Sequence, residues 1–220
     1  MPTSGDVLVV MAKYPTPGAV KTRLAQHVGA ELASALYRAF LVDISARFTS
    51  TDWQLLWAVD PPGADLSAIV GTTAACIDQQ GNDLGERMLH CFQTLFARGA
   101  HRVVMIGADA PHLSVSTLTA AFRALVQHDA TFVPTRDGGY CLVGLRAVHD
   151  LFTGIPMGTD AVFWDTCQRA EALRLSVHVF EPYFDIDEPA DIEMLTPLID
   201  SGSVSLPATE TVLAARRQGR

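Results

Sequence analysis

Apolar runs rich in β-branched residues alternate along most of the chain with longer stretches of helical period, the pattern of an α/β protein. Val7–Ala12 reads as a buried strand. A loop containing Pro15-Thr16-Pro17-Gly18 follows, then a long helix in which Leu32, Leu36, Phe40 and Ile44 recur every four residues. Gln54–Val59 is the next strand, closed by Asp60-Pro61-Pro62-Gly63, and a weaker segment ends near Ile77-Asp78. A helix is predicted from about Asp83 to Arg98, and Arg102–Ala108 is the most strongly patterned buried strand. Ser114–His128 has helical period, and two short strands, Ala130–Thr135 and Cys141–Arg146, flank Asp137-Gly138-Gly139. Asp160–Leu173 is helical again. A last strand, Ser176–Glu181, leads into Asp185-Ile186-Asp187-Glu188, with Pro189 suited to the first turn of a helix.

The chain has 220 residues, with 24 acidic against 16 basic side chains, a formal net charge of −8, 49% hydrophobic and 18% charged residues. That length builds one core, so residues 1–200 form a single domain and 201–220 a peripheral tail or short helix ending in a basic tip. The apolar share excludes disorder across the whole chain. An acidic surface repels phosphate backbones and anionic lipid, which argues against a nucleic-acid polymer or a membrane surface as partner. Cys76, Cys91, Cys141 and Cys167 have no paired spacing and read as reduced thiols of a cytoplasmic protein. The N-terminal apolar stretch has no preceding basic region and is interrupted by Lys13 and Pro15, unlike a signal peptide or a membrane span. Nothing in the pattern fixes an oligomeric state.

In open α/β sheets ligands bind beyond the carboxyl ends of the strands, so the residues following each apolar run carry most weight. After the first strand, Lys13, Lys21 and Arg23 gather in a short segment of an otherwise acidic chain, beside Gly18, which permits close backbone approach. With the free N–H groups of the following helix, this makes a seat for a di- or triphosphate. Strand, loop and Lys21-Thr22 also follow the order of a Walker P-loop, but Val20 occupies the place of its glycine. After the strongest strand, Asp109 is placed either to hold Mg²⁺ against phosphate oxygens or to cap the turn before Pro111. The second acid such a site needs is Asp185 or Asp187, which project to one side of an extended chain. Asp187 also suits the N-cap of the next helix, with Glu188 and Asp191 in its first turn. Asp137-Gly138-Gly139 is a standard hairpin turn, and equally a place where backbone approaches a substrate and a carboxylate accepts a hydroxyl proton.

The seven histidines form no zinc motif, and neither a G-x-S-x-G elbow nor a G-x-G-x-x-G fingerprint occurs. The ordered set MAKYPTPGAVKTRL, QGNDLGERM, IGADAPHL, PTRDGGYCLVGL and FDIDEPADI resembles the small bacterial nucleotide-diphospho-sugar transferase-like proteins. These are often labelled a domain of unknown function or a glycosyltransferase, with some members linked to arsenosugar biosynthesis. The resemblance covers about residues 6–200. It implies the glycosyltransferase A-type fold, a three-layer α/β/α sandwich with a mostly parallel Rossmann-like sheet. Molybdenum cofactor guanylyltransferase and 2-phospholactate guanylyltransferase share that fold.

Carried over by position, the resemblance puts Lys13, Gly18, Lys21 and Arg23 on the nucleotide phosphates and Gly85 and Arg87 near the nucleotide. It makes Asp109, with Asp187 or Asp185, the ligands of Mg²⁺ (or Mn²⁺), and turns Asp137, Gly138, Gly139 and Tyr140 toward an acceptor or sugar. Met157-Gly158-Thr159 departs from the Trp-Gly-Thr-like stretch expected there, which removes an aromatic stacking surface. The expected activity is a metal-dependent transfer from a nucleotide or nucleotide-sugar to a small-molecule acceptor, with Asp137 orienting or deprotonating the acceptor and Lys21 stabilising charge on the leaving group. Glycosyl transfer is placed ahead of nucleotidyl transfer, in which an NTP gives its NMP unit to a phosphorylated or carboxylate acceptor and releases pyrophosphate. A non-catalytic nucleotide-binding protein is the remaining alternative.

Overall fold

The first strand, β1 (Asp6–Lys13), lies inside the sheet, and its successive side chains enter two separate cores. Leu8, Val10 and Ala12 join one buried cluster and Val7 and Val9 the other, which is why the run reads as continuously apolar. The computed structural model describes residues 5–49, 52–71 and 74–218, with residues 217 and 218 described by backbone alone. Residues 1–4 of the N-terminal segment and 219–220 of the basic tip lie outside the described residues.

A short helix, α1 (Thr22–Val28), precedes α2 (Ala30–Phe48), which is the long helix that the repeat of Leu32, Leu36, Phe40 and Ile44 predicts. Gly29, at φ 86° and ψ 153°, breaks the helical conformation between them, a geometry open to glycine because it has no Cβ. The chain continues through β2 (Gln54–Asp60), α3 (Ser67–Val70), β3 (Ala75–Asp78), α4 (Leu84–Ala97), β4 (Arg102–Gly107), α5 (Val115–Ala124), β5 (Ala130–Pro134) and β6 (Tyr140–Leu145). It ends with α6 (Val162–Ala172), β7 (Val177–Val179), α7 (Pro189–Asp200) and α8 (Pro207–Gln218). The helix expected over 114–128 closes at Ala124, whose carbonyl accepts from the N–H groups of both Gln127 and His128 in a final turn.

The seven strands run in the order β3-β2-β1-β4-β6-β5-β7. All are parallel except β6, which the turn after β5 folds back between β4 and β5. On one face α2, α5 and α7 bury Phe40, Phe122 and Leu195; on the other α4 and α6 bury Phe92 and Ala170. The result is the expected α/β/α sandwich with a mostly parallel sheet. Asp43 of α2 is 2% exposed and accepts from the backbone N–H groups of Ala208 (3.0 Å) and Thr209 (2.9 Å) and from the Thr209 hydroxyl (2.7 Å). It thus caps α8 from another element, satisfying N–H groups that a helix start leaves unpaired. Among the described residues no helix is long and apolar enough to cross a membrane.

The chain leaves β1 for β2 on one side while β4 pairs with β1 on the other, so the strand order reverses at β1/β4. The crevice beyond the carboxyl ends at such a point is where this sheet class binds ligands.

Candidate active site

Three loops meet at that crevice. The loop after β1 ends at Lys21, the residue preceding α1, which adopts the left-handed conformation at φ 49° and ψ 46°. This region costs a non-glycine residue of order 1 kcal/mol, so the surroundings must hold it there. What holds it is charge. Lys21 Nζ donates to Asp187 Oδ1 at 2.8 Å and contacts Asp109 Oδ1 more closely still, with its side chain 2% exposed. Burial alone pulls the ammonium pKa down; the carboxylates of Asp109 and Asp187 more than offset it, leaving the pKa raised and the lysine charged.

Backbone pairing brings those carboxylates together. Ile186, fully buried, donates its N–H to the Asp109 carbonyl at 2.9 Å, tying the segment after β7 to the loop after β4. Asp185 and Asp187, on either side of that anchor, both line the crevice. Asp187 does not cap the following helix as its position in the sequence suggested. Asp191 Oδ2 accepts from the backbone N–H groups of Asp187 (2.9 Å) and Glu188 (2.7 Å), which leaves the Asp187 carboxylate to Lys21. Arg23 Nη1 lies 3.9 Å from Asp187 Oδ2, the oxygen next to the one that Lys21 engages. Burial, reinforced by the like charges of Asp109, Asp187 and Asp137 against the opposing effect of Lys21, pushes the Asp185 carboxyl up to about 8.

The hairpin turn between β5 and β6 supplies the far wall. Asp137 Oδ1 accepts from Thr135 Oγ1 at 2.5 Å and from the Gly139 N–H at 3.3 Å, which fixes the carboxylate over the turn. Gly138, at φ 88°, lies so close to the segment before α6 that a Cβ there would sit 1.9 Å from the Asp160 carbonyl oxygen. Its own carbonyl accepts from the Phe163 N–H at 2.9 Å. The two segments therefore pack as one unit, and Met157, where an aromatic was expected, contributes a flexible thioether to the cleft wall. The Tyr140 hydroxyl is buried, and burial raises its pKa.

These residues enclose two adjoining clefts. One, about 420 Å³, is lined by Lys13, Lys21, Arg23, Tyr37 and Gln79 with Asp109 and Asp187. The other, about 510 Å³, has a floor of Met11, Met88, Met105 and Met157 and a rim carrying Asp137, Asp185 and Asp187. Met11, Arg23, Leu84, Gly107 and Asp187 border both. Among the described residues no three His, Cys, Asp or Glu side chains are grouped as a ready metal centre.

Of the residues singled out from the sequence, Lys13, Lys21, Arg23, Asp109 and Asp187 converge on the first cleft, and Asp137, Gly139, Tyr140, Asp185 and Asp187 on the second. Gly18 is exposed at φ 79°, with nothing within 4 Å of the point a Cβ would occupy. Gly85 instead packs against the Phe152 carbonyl, which a Cβ would approach to 2.6 Å. Arg87 pairs with Asp60 at 3.2 Å and donates to the Gly81 carbonyl at 3.1 Å. Neither of these two lines either cleft.

Sequence reasoning passed over Gln79. Its Nε2 donates to the carbonyls of Ala58 (2.9 Å) and Ala12 (3.2 Å), where β2 and β1 end. Two carbonyl partners fix the amide orientation, because only the nitrogen can donate, and leave Oε1 as an acceptor at the wall of the basic cleft. Tyr37 was missed too: its Oη accepts from the Lys13 N–H at 3.0 Å, anchoring the start of the phosphate loop. An otherwise polar Gln directly after a strand, in a run ending Gln79-Gln80-Gly81, was the only signal for the first, and no signal marked the second.

The chain matches the model of a family described as uncharacterized protein conserved in bacteria (DUF2064) over residues 41–159, and it belongs to that family. Its fold is that of the nucleotide-diphospho-sugar transferases and cytidylyltransferases. A solved structure from Desulfovibrio desulfuricans, provisionally named a nucleotide-diphospho-sugar transferase, is 33% identical, with 98% of this chain and 96% of that one covered at a TM-score of 0.92. CMP:2-keto-3-deoxy-manno-octonic acid synthetase complexed with CTP is 12% identical, with 90% of this chain and 99% of that one covered at 0.54. A cytidylyltransferase from Leptospira borgpetersenii is 11% identical, with 98% and 95% covered at 0.56; these last two likenesses are of fold alone. No curated protein matches the sequence.

Proposed function

We propose that the protein is a nucleotide-dependent transferase, and that it moves a sugar from a nucleoside-diphosphate sugar to a small acceptor. The observation that carries this reading is the position of Lys21, a buried cation held by Asp109 and Asp187 where a basic cleft joins a carboxylate-rimmed one. Lys13, Lys21 and Arg23 bind the diphosphate, and Gln79 Oε1 accepts from a donor on the base or ribose. Preorganised cations beside a departing diphosphate stabilise its growing charge, usually the largest catalytic term in such chemistry. The acceptor O–H forms the new bond to the anomeric carbon as the bond from that carbon to the phosphate oxygen breaks. The nucleoside diphosphate leaves with the electron pair, and Asp137, fixed by Thr135 and Gly139, takes the proton.

The donor set fits Mg²⁺ or Mn²⁺. Asp109 and Asp187 offer hard oxygen ligands that already share one cation of this chain, and Mg²⁺ characteristically takes one or two protein carboxylates and completes its shell with phosphate and water. Asp109 and Asp187 would hold the ion, with Asp185 beside them, and when bound it would supply charge neutralisation at the diphosphate. The four unpaired thiols support a reducing compartment such as the cytoplasm.

Three cations in the first cleft favour a second reading, nucleotidyl transfer from an NTP with release of pyrophosphate, since a triphosphate calls for more countercharge. A thermal-shift screen of NTPs and NDP-sugars, with and without Mg²⁺, separates the two. Selective stabilisation by NDP-sugars is expected, and selective stabilisation by NTPs with pyrophosphate release on turnover would reverse the order. Stabilisation with no turnover across a broad acceptor panel would instead favour a non-catalytic nucleotide-binding protein.

A further inference from the structure

The larger cleft has a composition that constrains its occupant. Met11, Met88, Met105 and Met157 line it, with Val143 and Val162 between them. Methionine is unbranched and polarizable, so such a wall adapts to an apolar body and offers it dispersion contacts without fixing one shape. Met88 and Met105 are only 6% and 2% exposed, so the floor is part of the core rather than a mobile surface patch.

The rim has the opposite character. The carboxylates of Asp137 and Asp187 stand along it beside the Asp185 carboxyl, and the one cation among the lining residues is Arg23, 3.9 Å from Asp187. Lys21 is taken up by Asp109 and Asp187 on the side of the basic cleft. A phosphate or carboxylate group entering the larger cleft would meet the carboxylates of Asp137 and Asp187, offset among the lining residues by Arg23 alone, and like charges in a partly desolvated site are unfavourable. A hydroxyl donates to the same carboxylates.

We infer that the acceptor taken by this cleft is a neutral, largely apolar alcohol, its hydrocarbon body on the methionine floor and its hydroxyl directed to Asp137. This rests on the transferase reading for the word acceptor, but the cleft's preference for neutral over anionic ligands is a property of its walls alone. At about 510 Å³ the cleft has room for a bicyclic ring system.

Three probes with one apolar body and different charge test it: 1-naphthol, 1-naphthoate and 1-naphthyl phosphate, titrated by fluorescence into the protein with and without the nucleotide that gives the largest thermal shift. Saturable binding of 1-naphthol, tighter than either anion by about tenfold or more, is expected in both conditions. Met157→Lys should narrow or reverse that ratio while leaving nucleotide affinity within about twofold, since Met157 does not border the basic cleft. Equal or tighter binding of either anion by the unaltered protein, or no saturable binding of 1-naphthol, overturns the inference. A protein that prefers 1-naphthol but binds no nucleotide would keep the inference about the cleft and sink the transferase reading.

Discussion

Lys21 Nζ reaches Asp187 Oδ1 at 2.8 Å across a sequence separation of 166 residues. The contact closes the crevice between the first loop of the sheet and the last, and it sets a buried lysine in a left-handed backbone conformation that favours glycine. Removing this cation should therefore separate fold from function. Lys21→Gly relieves the left-handed strain, and Asp109 and Asp187, 44% and 36% exposed, are open to solvent screening. The variant should melt within a few degrees of the parent and lose nucleotide affinity by roughly 10- to 150-fold, the worth of one charged hydrogen bond at about 1.5–3 kcal/mol. Calorimetric titration beside a thermal melt checks both halves, and unchanged affinity would remove Lys21 from the site.

Gln79 should act on the nucleoside and not on the phosphates. Gln79→Met removes the cleft-facing acceptor, so affinity for a nucleotide should fall by about 1 kcal/mol while affinity for tripolyphosphate stays the same. Equal losses for both ligands would show that Gln79 only braces the ends of β1 and β2 through its Nε2.

The difference between Lys21 and Gln79 marks how far the sequence could be read. The strands announced themselves because β1 and β4 are buried on both faces, and a continuous apolar run needs no partner information. Asp109, Asp137 and Asp187 were legible because each follows a strand, where this sheet class puts chemistry. The break at Gly29 falls ahead of the four-residue repeat, which begins at Leu32 and does not say where its helix starts, and which acid caps α7 depended on Asp191 reaching back to two N–H groups. Gln79 and Tyr37 act through backbone partners on other elements, a relation no local pattern encodes. Gly85 carries the opposite lesson: a motif glycine whose constraint is the Phe152 carbonyl packed against it.

Acid stability should report His112. Its ring stacks on Tyr183 at 4.7 Å and meets Phe184 in a tilted contact at 4.2 Å, both ring nitrogens are buried without hydrogen-bond partners, and burial, helped by Arg47, pushes its pKa down to about 3. The unfolded chain takes up this proton near pH 6.5 and the folded one near pH 3. Stability is therefore full above about pH 6.5 and falls as pH drops through that window, by up to about 1.4 kcal/mol per pH unit. His112→Phe should flatten this part of the denaturation profile, and an unchanged slope would assign it to other groups.

Asp43 should hold the C-terminal helix. Asp43→Ala leaves the N–H groups of Ala208 and Thr209 and the Thr209 hydroxyl without their buried acceptor, at a cost of about 1–3 kcal/mol. Hydrogen exchange should rise first in α8, before any element of the sheet. Nucleotide binding should persist, because Asp43 lines neither cleft.

One titration decides whether Asp109, Asp187 and Lys21 form the cation and phosphate site of a nucleotide-dependent transferase. The nucleotide selected by the screen is titrated calorimetrically into the parent protein and Asp109→Asn, each with and without Mg²⁺. Mg²⁺ should tighten binding to the parent by about tenfold or more, and Asp109→Asn, an isosteric change, should bind the nucleotide with little response to the metal. A parent protein that binds no nucleotide, or an Asp109→Asn variant with the full Mg²⁺ response, would contradict the account.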